Sequence, residues 1–320
     1  MIRAPDLPRA VLYGALWVAA CAGPERIAPP ASPAPSLGSP SDAIPGELDL
    51  ALRVDLERIR GVLGESAFEA LAKRGFGAGA SGDVASERLL TDAMAHADSI
   101  WIALRPGARS ELTDSVTILR GHFGSIDPRR YTATPPWQSA IDLGGGWRRY
   151  DRPAPPSRAA PVRIYARGDE MLVLVSTASL DSVERRLEQG ADDPHVEPTE
   201  KGVLSLEARG EALRGALRER APSAARFLER AKRLRVVADL DSIGLGAELE
   251  LGVETESQAK ETALAAAQVA KALAEQGGIA ARVTRGLRIE AVGTRVVARL
   301  ALPPETVAAL LSCAGGERCD

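Results

Sequence analysis

The chain has 320 residues, with 40 Lys and Arg side chains against 43 Asp and Glu, a net charge of −3 at pH 7. This balance lacks the positive excess with which proteins bind nucleic acid or anionic membrane surfaces, so we expect no nucleic-acid partner. Aromatic residues make up only 4% of the chain. Their scarcity disfavours an aromatic platform for sugars or bases and predicts a core of small aliphatic side chains.

The first 20 residues have the pattern of a signal peptide. Arg3 and Arg9 supply positive charge before an apolar run over residues 10–20. This run is too short to span a bilayer as a helix. The run ends in Val18-Ala19-Ala20-Cys21, which resembles the lipobox of bacterial lipoproteins. The resemblance implies cleavage before Cys21 and attachment of fatty acyl chains, palmitate among them, to that cysteine. An ordinary cleaved signal, an uncleaved anchor and an apolar N-terminal helix remain alternatives.

Residues 21–47 are predicted to be a tether between a lipidated Cys21 and a folded body. The stretch AGPERIAPPASPAPSLGSPSDAIPG, residues 22–46, is rich in Pro, Ala and Ser. It carries too little apolar surface to offset the entropy of ordering it, so we expect an extended, mobile segment. Ala22, not Asp, follows the cysteine, and in Gram-negative lipoproteins this favours the outer membrane. The sequence thus predicts a lipid-anchored protein of the cell envelope, on the periplasmic or surface face.

Residues 48–198 are predicted to form a first half that combines strands and helices. Strands are recognised by apolar residues at every second position, and helices by apolar residues three or four positions apart. Residues 125–161, with many prolines and a glycine run, are expected to be irregular. The predicted elements are a strand and a helix within 50–65, strands at 99–107 and 114–123, a hairpin at 163–176 with its turn at Gly168, and a helix at 179–190 that ends at Gly190.

Residues 199–312 are predicted to repeat this order of elements. Arg60-Gly61-Val62-Leu63 aligns with Arg214-Gly215-Ala216-Leu217, and an Asp-Ser pair begins the third strand of each copy. We therefore expect an α+β fold of two similar halves, with mostly antiparallel sheets and helices packed on one face. The predicted elements are a strand and a helix within 204–220, strands at 234–240 and 241–253, a long helix at 256–278, a hairpin at 288–301 with its turn at Gly293, and a helix at 303–313.

The predicted body resembles a group of uncharacterised bacterial lipoproteins. The segments that carry the resemblance are DSVTILRGHF at 114–123, WRRY at 147–150 with VRIYAR at 162–167, and the helix at 256–278. It spans most of residues 48–312. The resemblance implies no activity, and we expect no cofactor.

Cys313 and Cys319 lie in a C-terminal tail, residues 313–320. Exported proteins meet an oxidising environment, and the five residues between the two cysteines are flexible enough to close a small ring, so a disulfide is expected. By the loop-entropy model such a ring contributes only about 2 kcal/mol, enough to hold a tail but not a fold. Two free thiols or a redox pair are the alternatives.

Several local patterns suggest chemistry, but each has a simpler interpretation. Gly77-Ala78-Gly79-Ala80-Ser81-Gly82 matches a dinucleotide-binding pattern, yet a predicted helix, not a strand, precedes it, which favours a loop. Asp239-Leu240-Asp241-Ser242-Ile243-Gly244 begins like a calcium loop, but an isoleucine occupies a ligand position, which favours a strand end and turn. Asp192, Asp193, His195 and Glu197 are expected to lie in a solvated loop, and His96 and His122 lack partners at metal spacing.

Ser257 and Lys260 match the S-x-x-K pattern of serine–lysine hydrolases, in which the lysine accepts the serine proton. The companion motifs S-D-N and K-T-G are missing from the sequence, so a helix first turn capped by Thr255 or Ser257 is favoured. We therefore expect no catalytic, cofactor-binding or metal-ligating residue.

The sequence-based hypothesis is a membrane-anchored envelope lipoprotein with a non-catalytic binding or scaffolding body, whose partner is an envelope protein or an apolar ligand. A carrier of lipid or another apolar ligand is the first alternative, and the serine hydrolase is the second.

Overall fold

The computed structural model describes residues 39–66, 68–69, 84–105, 114–153, 161–176, 180–190, 195–210, 230–241, 243–275, 277–307 and 309, all within one compact unit that spans Pro35–Asp320. The described residues form a single 12-stranded sheet in which every pairing is antiparallel, together with helices, and this confirms the α+β class. The strands are β1 (Leu50–Asp55), β2 (Ala97–Arg105), β3 (Asp114–Gly121), β4 (Ile141–Gly144), β5 (Trp147–Arg152), β6 (Val162–Arg167), β7 (Met171–Ser176), β8 (Leu204–Arg209), β9 (Arg233–Asp241), β10 (Gly244–Gly252), β11 (Leu287–Val292) and β12 (Arg295–Leu302).

The described helices number one 3-10 helix and six α-helices. The 3-10 helix is Pro40–Ala43, and the α-helices are α1 (Leu56–Leu63), α2 (Val84–Met94), α3 (Pro128–Tyr131), α4 (Leu180–Gln189), α5 (Glu256–Glu275) and α6 (Gly278–Arg285).

The strand order repeats the same connections twice. Across the sheet it runs β11-β12-β10-β9-β8-β1-β2-β3-β7-β6-β5-β4. Read outward from the centre, the first half follows β1-β2-β3-β7-β6 and the second follows β8-β9-β10-β12-β11. The two leading strands, β1 and β8, pair with Leu52 opposite Leu206. The two similar halves are therefore joined edge to edge in one continuous sheet.

Local signals in the sequence account for the ends of these elements. Gly168 and Gly293 have φ of 54° and 58° at the tips of the β6–β7 and β11–β12 hairpins, a conformation that side chains with a Cβ rarely adopt. Asp55 caps α1 by accepting a hydrogen bond from the backbone N–H of Arg58. Gly190, with φ of 87°, follows the last residue of α4. The two predicted hairpins and the predicted end of this helix are confirmed.

The first half buries both faces of its sheet. One face, with Ile100, Leu119 and Leu172, packs against α1 and α2. The opposite face, with Trp101 and Tyr165, packs against α4 and the segment around the 3-10 helix. Helices were expected on one face, and in this half they lie on both.

The second half buries one face among the described residues. Alternate residues of β8–β12 are aliphatic on the face that α5 covers, where Ala259 and Ala263 of the helix pack near Leu251 and Val296. Alanine at these positions lets the helix approach the sheet closely. The other face carries mostly charged side chains, because a period of two places successive residues on opposite faces.

The folded body begins earlier than the sequence predicted. Ser39 caps the 3-10 helix, and Ala43, Ile44 and Leu48 have no exposed surface in the core next to α4. Residues 39–47, expected to be the end of the tether, therefore belong to the packed body.

Residues 125–161 contain regular structure that the sequence did not predict. β4 and β5 form a hairpin that extends the sheet, and α3 precedes it. Gly144, Gly145 and Gly146 all have positive φ at its turn, so the glycine run marks a tight turn. Buried Trp147 and Tyr150 pack on opposite faces of the first half.

Candidate binding groove

The predicted lipidation and disulfide residues lie outside the described residues. Cys21, Cys313 and Cys319 all fall there, as do Asp192, Asp193 and the glycine-rich stretch 77–82. The lipid anchor, the tether and the disulfide remain predictions.

The structure places Ser257 and Lys260 on an exposed first turn of α5. The Lys260 ammonium lies 2.8 Å from a carboxylate oxygen of Glu256, and both side chains are more than half exposed. The hydrogen bond from Lys260 lowers the pKa of Glu256. Thr255 caps the helix by accepting from the backbone N–H of Gln258, which agrees with the simpler interpretation of this stretch.

The other polar patterns have structural roles. The Asp241 carboxylate accepts hydrogen bonds from the backbone N–H groups of Ile243 and Gly244, so the calcium-like stretch is a strand end and turn, as predicted. His122 is exposed, with its Nε2 4.0 Å from the Asp98 carboxylate. Within the described residues, no group of three or more His, Cys, Asp and Glu is placed to hold a metal ion.

Many charged side chains of the second half lie on the face of its sheet that no described helix covers, which we call the open face. It consists of alternate residues of β8, β9, β10, β12 and β11 on the side of the sheet away from α5. Ion pairs cross from strand to strand along it, as in other sheets with one solvated face. These pairs join Arg233 and Arg235 to Glu207, Arg295 to Glu250, and Arg299 to both Glu248 and Glu290.

A groove of about 710 Å³ crosses one end of the open face. It is open to solvent and lies within the range of volumes typical of ligand sites. It lies at the ends of β9 and β12 and the starts of β10 and β11. The residues that line it are Lys201, Val237, Asp239, Gly246, Ala247, Glu248, Arg285, Gly286, Arg288, Arg299, Leu300 and Ala301.

The groove exists because one row across the sheet lacks large side chains. Gly246 lies opposite Ala301 in the pairing of β10 with β12, and Gly286 follows α6 beside Ala301. A Cβ at Gly246 would meet no atom within 4 Å, whereas a Cβ at Gly286 would lie 2.1 Å from the Ala301 carbonyl oxygen. Glycine at 286 lets this backbone approach that of Ala301, and glycine at 246 leaves the floor of the groove without a side chain.

Among the described residues, the groove has more positive charge than the neighbouring carboxylates neutralise. Glu248 is paired with Arg299 at 2.8 Å, and this hydrogen bond raises the pKa of Arg299. Asp239 is paired with Arg58 at 2.7 Å. Lys201, Arg285 and Arg288 make no ion pair with another described residue. Both groove carboxylates are therefore neutralised, whereas no described acidic side chain neutralises the three cations.

A second ionic cluster, in the first half, serves a different purpose. Glu184 of α4 accepts hydrogen bonds from Arg149 at 2.5 and 2.7 Å and from Arg163 at 3.0 Å, and all three side chains are 18% exposed. The Tyr165 hydroxyl lies 3.3 Å from the same carboxylate, and burial raises its pKa. This cluster fastens α4 to β5 and β6.

Sequence reasoning missed the groove. Lys201 lies more than 80 positions before Arg285 and Arg288 in the sequence, and the three residues share no motif. The available signals were Gly246 and Gly286, each next to a period-two strand pattern, where glycine indicates close backbone approach or missing side-chain volume.

The fold is shared with a known structure. Crystal form I of TP0453 aligns with a TM-score of 0.52 at 12% identity, covering 87% of this chain and 98% of that chain. Crystal forms III and IV of TP0453 give TM-scores of 0.49 and 0.48 at 9% and 10% identity. No protein-family model and no curated protein sequence matches the chain. Among the described residues, no helix is long and apolar enough to cross a membrane.

Proposed function

We propose that the chain is a lipid-anchored protein of the cell envelope whose body is a binding module, with the groove on the open face as its binding site. The observation that carries the binding role is the groove itself, which combines an empty floor at Gly246 with cations that no described carboxylate neutralises.

The anchor in this proposal rests on the lipobox-like Val18-Ala19-Ala20-Cys21 and on the Pro-, Ala- and Ser-rich segment behind it. Ser39 is the first described residue of the body, and residues 22–38 lie between it and the cysteine. Fully extended, 17 residues reach about 60 Å, so a tether of this length lets the groove meet partners away from the bilayer.

The open groove favours a binding module over the apolar carrier. A carrier for lipid needs an enclosed apolar cavity, whereas this groove is open and is lined by charged side chains beside Val237 and Ala301. The Ser257–Lys260 pair lies on α5, the helix that covers the opposite face of the sheet, and its lysine is paired with Glu256.

Two experiments test the proposal. In the native host, Cys21→Ser should release the protein from the membrane fraction, and Cys313→Ser should leave it there. A photo-cross-linking residue at Gly246 of the lipidated chain should form adducts in intact cells, whereas the same residue at the exposed His122 of the first half should not.

Retention of the Cys21→Ser variant on membranes would contradict the anchor. Equal adduct formation at positions 246 and 122, or none at either, would contradict the binding role.

A further inference from the structure

We infer that the groove binds an acidic peptide segment in extended conformation. This inference rests on the proposed binding function and specifies the chemistry of its ligand.

The first argument is charge. The chain as a whole is slightly acidic, with a net charge of −3, yet the groove holds four basic side chains against two acidic ones. Asp239 and Glu248 are already paired with Arg58 and Arg299. A ligand with carboxylates would supply counter-charges to Lys201, Arg285 and Arg288, which are exposed and have no ion pair among the described residues.

The second argument is the spacing of these cations. Arg288 lies on β11, and Lys201 lies on the loop beside β9, where the backbone N–H of Val203 donates to Ala238. β11 and β9 are three strand spacings apart in the sheet order. At about 4.8 Å per spacing the two ends of the groove are about 14 Å apart, a distance that four or five extended residues cover at about 3.3 Å each.

The third argument is the floor between the cations. Gly246 and Ala301 present almost no side-chain volume, and Val237 adds a half-buried aliphatic surface. A peptide backbone fits over such a floor, with acidic side chains directed to the two ends. A small anion would contact one end and leave the floor empty.

The test uses the full lipidated chain in nanodiscs of neutral phosphatidylcholine, so that no anionic lipid competes. Fluorescein-labelled hexaglutamate is the probe, hexalysine the charge control, and fluorescence anisotropy the readout. We expect hexaglutamate to bind and hexalysine not to bind. The double variant Lys201→Glu/Arg288→Glu should weaken binding at least about tenfold, equivalent to about 1.4 kcal/mol.

Two matched variants separate the groove from general charge and bulk. Lys271→Glu changes an exposed cation of α5 and should leave hexaglutamate affinity unchanged. Gly246→Phe should block the floor and weaken binding at least about tenfold, whereas Val292→Phe, at a 42% exposed position elsewhere on the open face, should not. Far-ultraviolet circular dichroism verifies that each variant is folded.

Several results would overturn the inference. They are no binding of hexaglutamate, equal binding by the double variant, or equal effects of Gly246→Phe and Val292→Phe. Binding of diglutamate as tight as that of hexaglutamate, with displacement by inorganic phosphate, would show a small-anion site instead. If adducts form at position 246 in cells while hexaglutamate does not bind, the ligand class is wrong but the binding function stands; if both fail, the proposed function fails too.

Discussion

The two halves share a strand order but differ in what covers their sheets. In the first half, α1 and α2 cover one face and α4 with the 3-10 helix covers the other, so Trp101 and Tyr165 are buried on the side where the second half is open. In the second half, α5 covers one face and the other carries ion pairs and a groove. The two halves thus combine a body stabilised on both faces of its sheet with one in which no described helix covers the second face.

The change between the two environments occurs at the central strand pair. Arg53 of β1 is 7% exposed, lies over the Trp101 ring at 5.7 Å, and donates to Asp55 and to the Gly202 carbonyl. On β8, Glu207 is buried and pairs with Arg233 and Arg235 of the open face. Buried charges need such partners. The paired side chains of Arg53 and Glu207 therefore lie at the boundary between the packed face of the first half and the solvated face of the second.

The largest difference between the halves should be in the free energy of unfolding that is lost when one ion pair is removed. Glu184→Gln leaves Arg149 and Arg163 beside a neutral amide in a mostly buried cluster, and we expect it to lower the free energy of unfolding by about 3 kcal/mol. Glu248→Gln on the open face should lower it much less, because water screens the exposed pair with Arg299. Urea denaturation measures both, and equal losses would contradict the division between covered and open faces.

A smaller difference in lost stability is expected between two Val→Ala substitutions on the same side of the sheet, one in each half. Val173 of β7 has no exposed surface, so Val173→Ala should cost about 2 kcal/mol through lost burial and a residual cavity. Val237→Ala on β9 should cost less than about 1 kcal/mol, since that side chain is only half-buried at the groove. Thermal unfolding provides the comparison, and a costlier Val237→Ala would mean that the open face is covered.

The smallest effect concerns α3, in the segment between β3 and β6, where the second half has α5 and α6 instead. Burial, and then the hydrogen bond from its hydroxyl to Asp92 at 2.7 Å, raise the pKa of Tyr131 from 10.0 to about 12. The folded state therefore holds this proton more tightly than the unfolded state. The resulting stability is fully present below about pH 10 and is lost as the pH rises towards about 12.

Tyr131→Phe should remove about 1 kcal/mol at neutral pH and make the loss of stability above about pH 10 shallower than in the wild type. Urea denaturation at a series of alkaline pH values measures both slopes. Parallel pH profiles for the two proteins would show that the Tyr131 hydroxyl has the same environment in both states.

The strand pattern was predictable from sequence, and the reasons are local. Period-two apolar spacing and the turn glycines Gly168 and Gly293 act over a few residues, so they identified the strands and the repeat. The hairpin at 141–152 was missed because its strands are short and polar, with buried Trp147 and Tyr150 as the only strong signal. α6 was not predicted, because glycine after a helical run indicates the end of a helix, whereas Gly277 also precedes a new helix.

The groove was not predictable, because it depends on which strands become neighbours. Gly246 lies opposite Ala301 only through the pairing of β10 with β12. Lys201 is near the same site because β8, the strand that follows it, pairs with β9. No spacing within the sequence encodes these contacts. The predicted lipid anchor differs in this respect, since the proposal for Cys21 rests on a local motif.

Carbene footprinting of the lipidated chain in native membranes, analysed by mass spectrometry, tests the central claim most directly. If the open face of the second half is a binding surface, labelling at Lys201, Val237 and Ala301 should be low in native membranes and rise after a high-salt wash, because the contacts are ionic. Labelling at His122 in the first half should stay constant. Equal labelling of the groove before and after the wash, at the level of His122, would contradict the account.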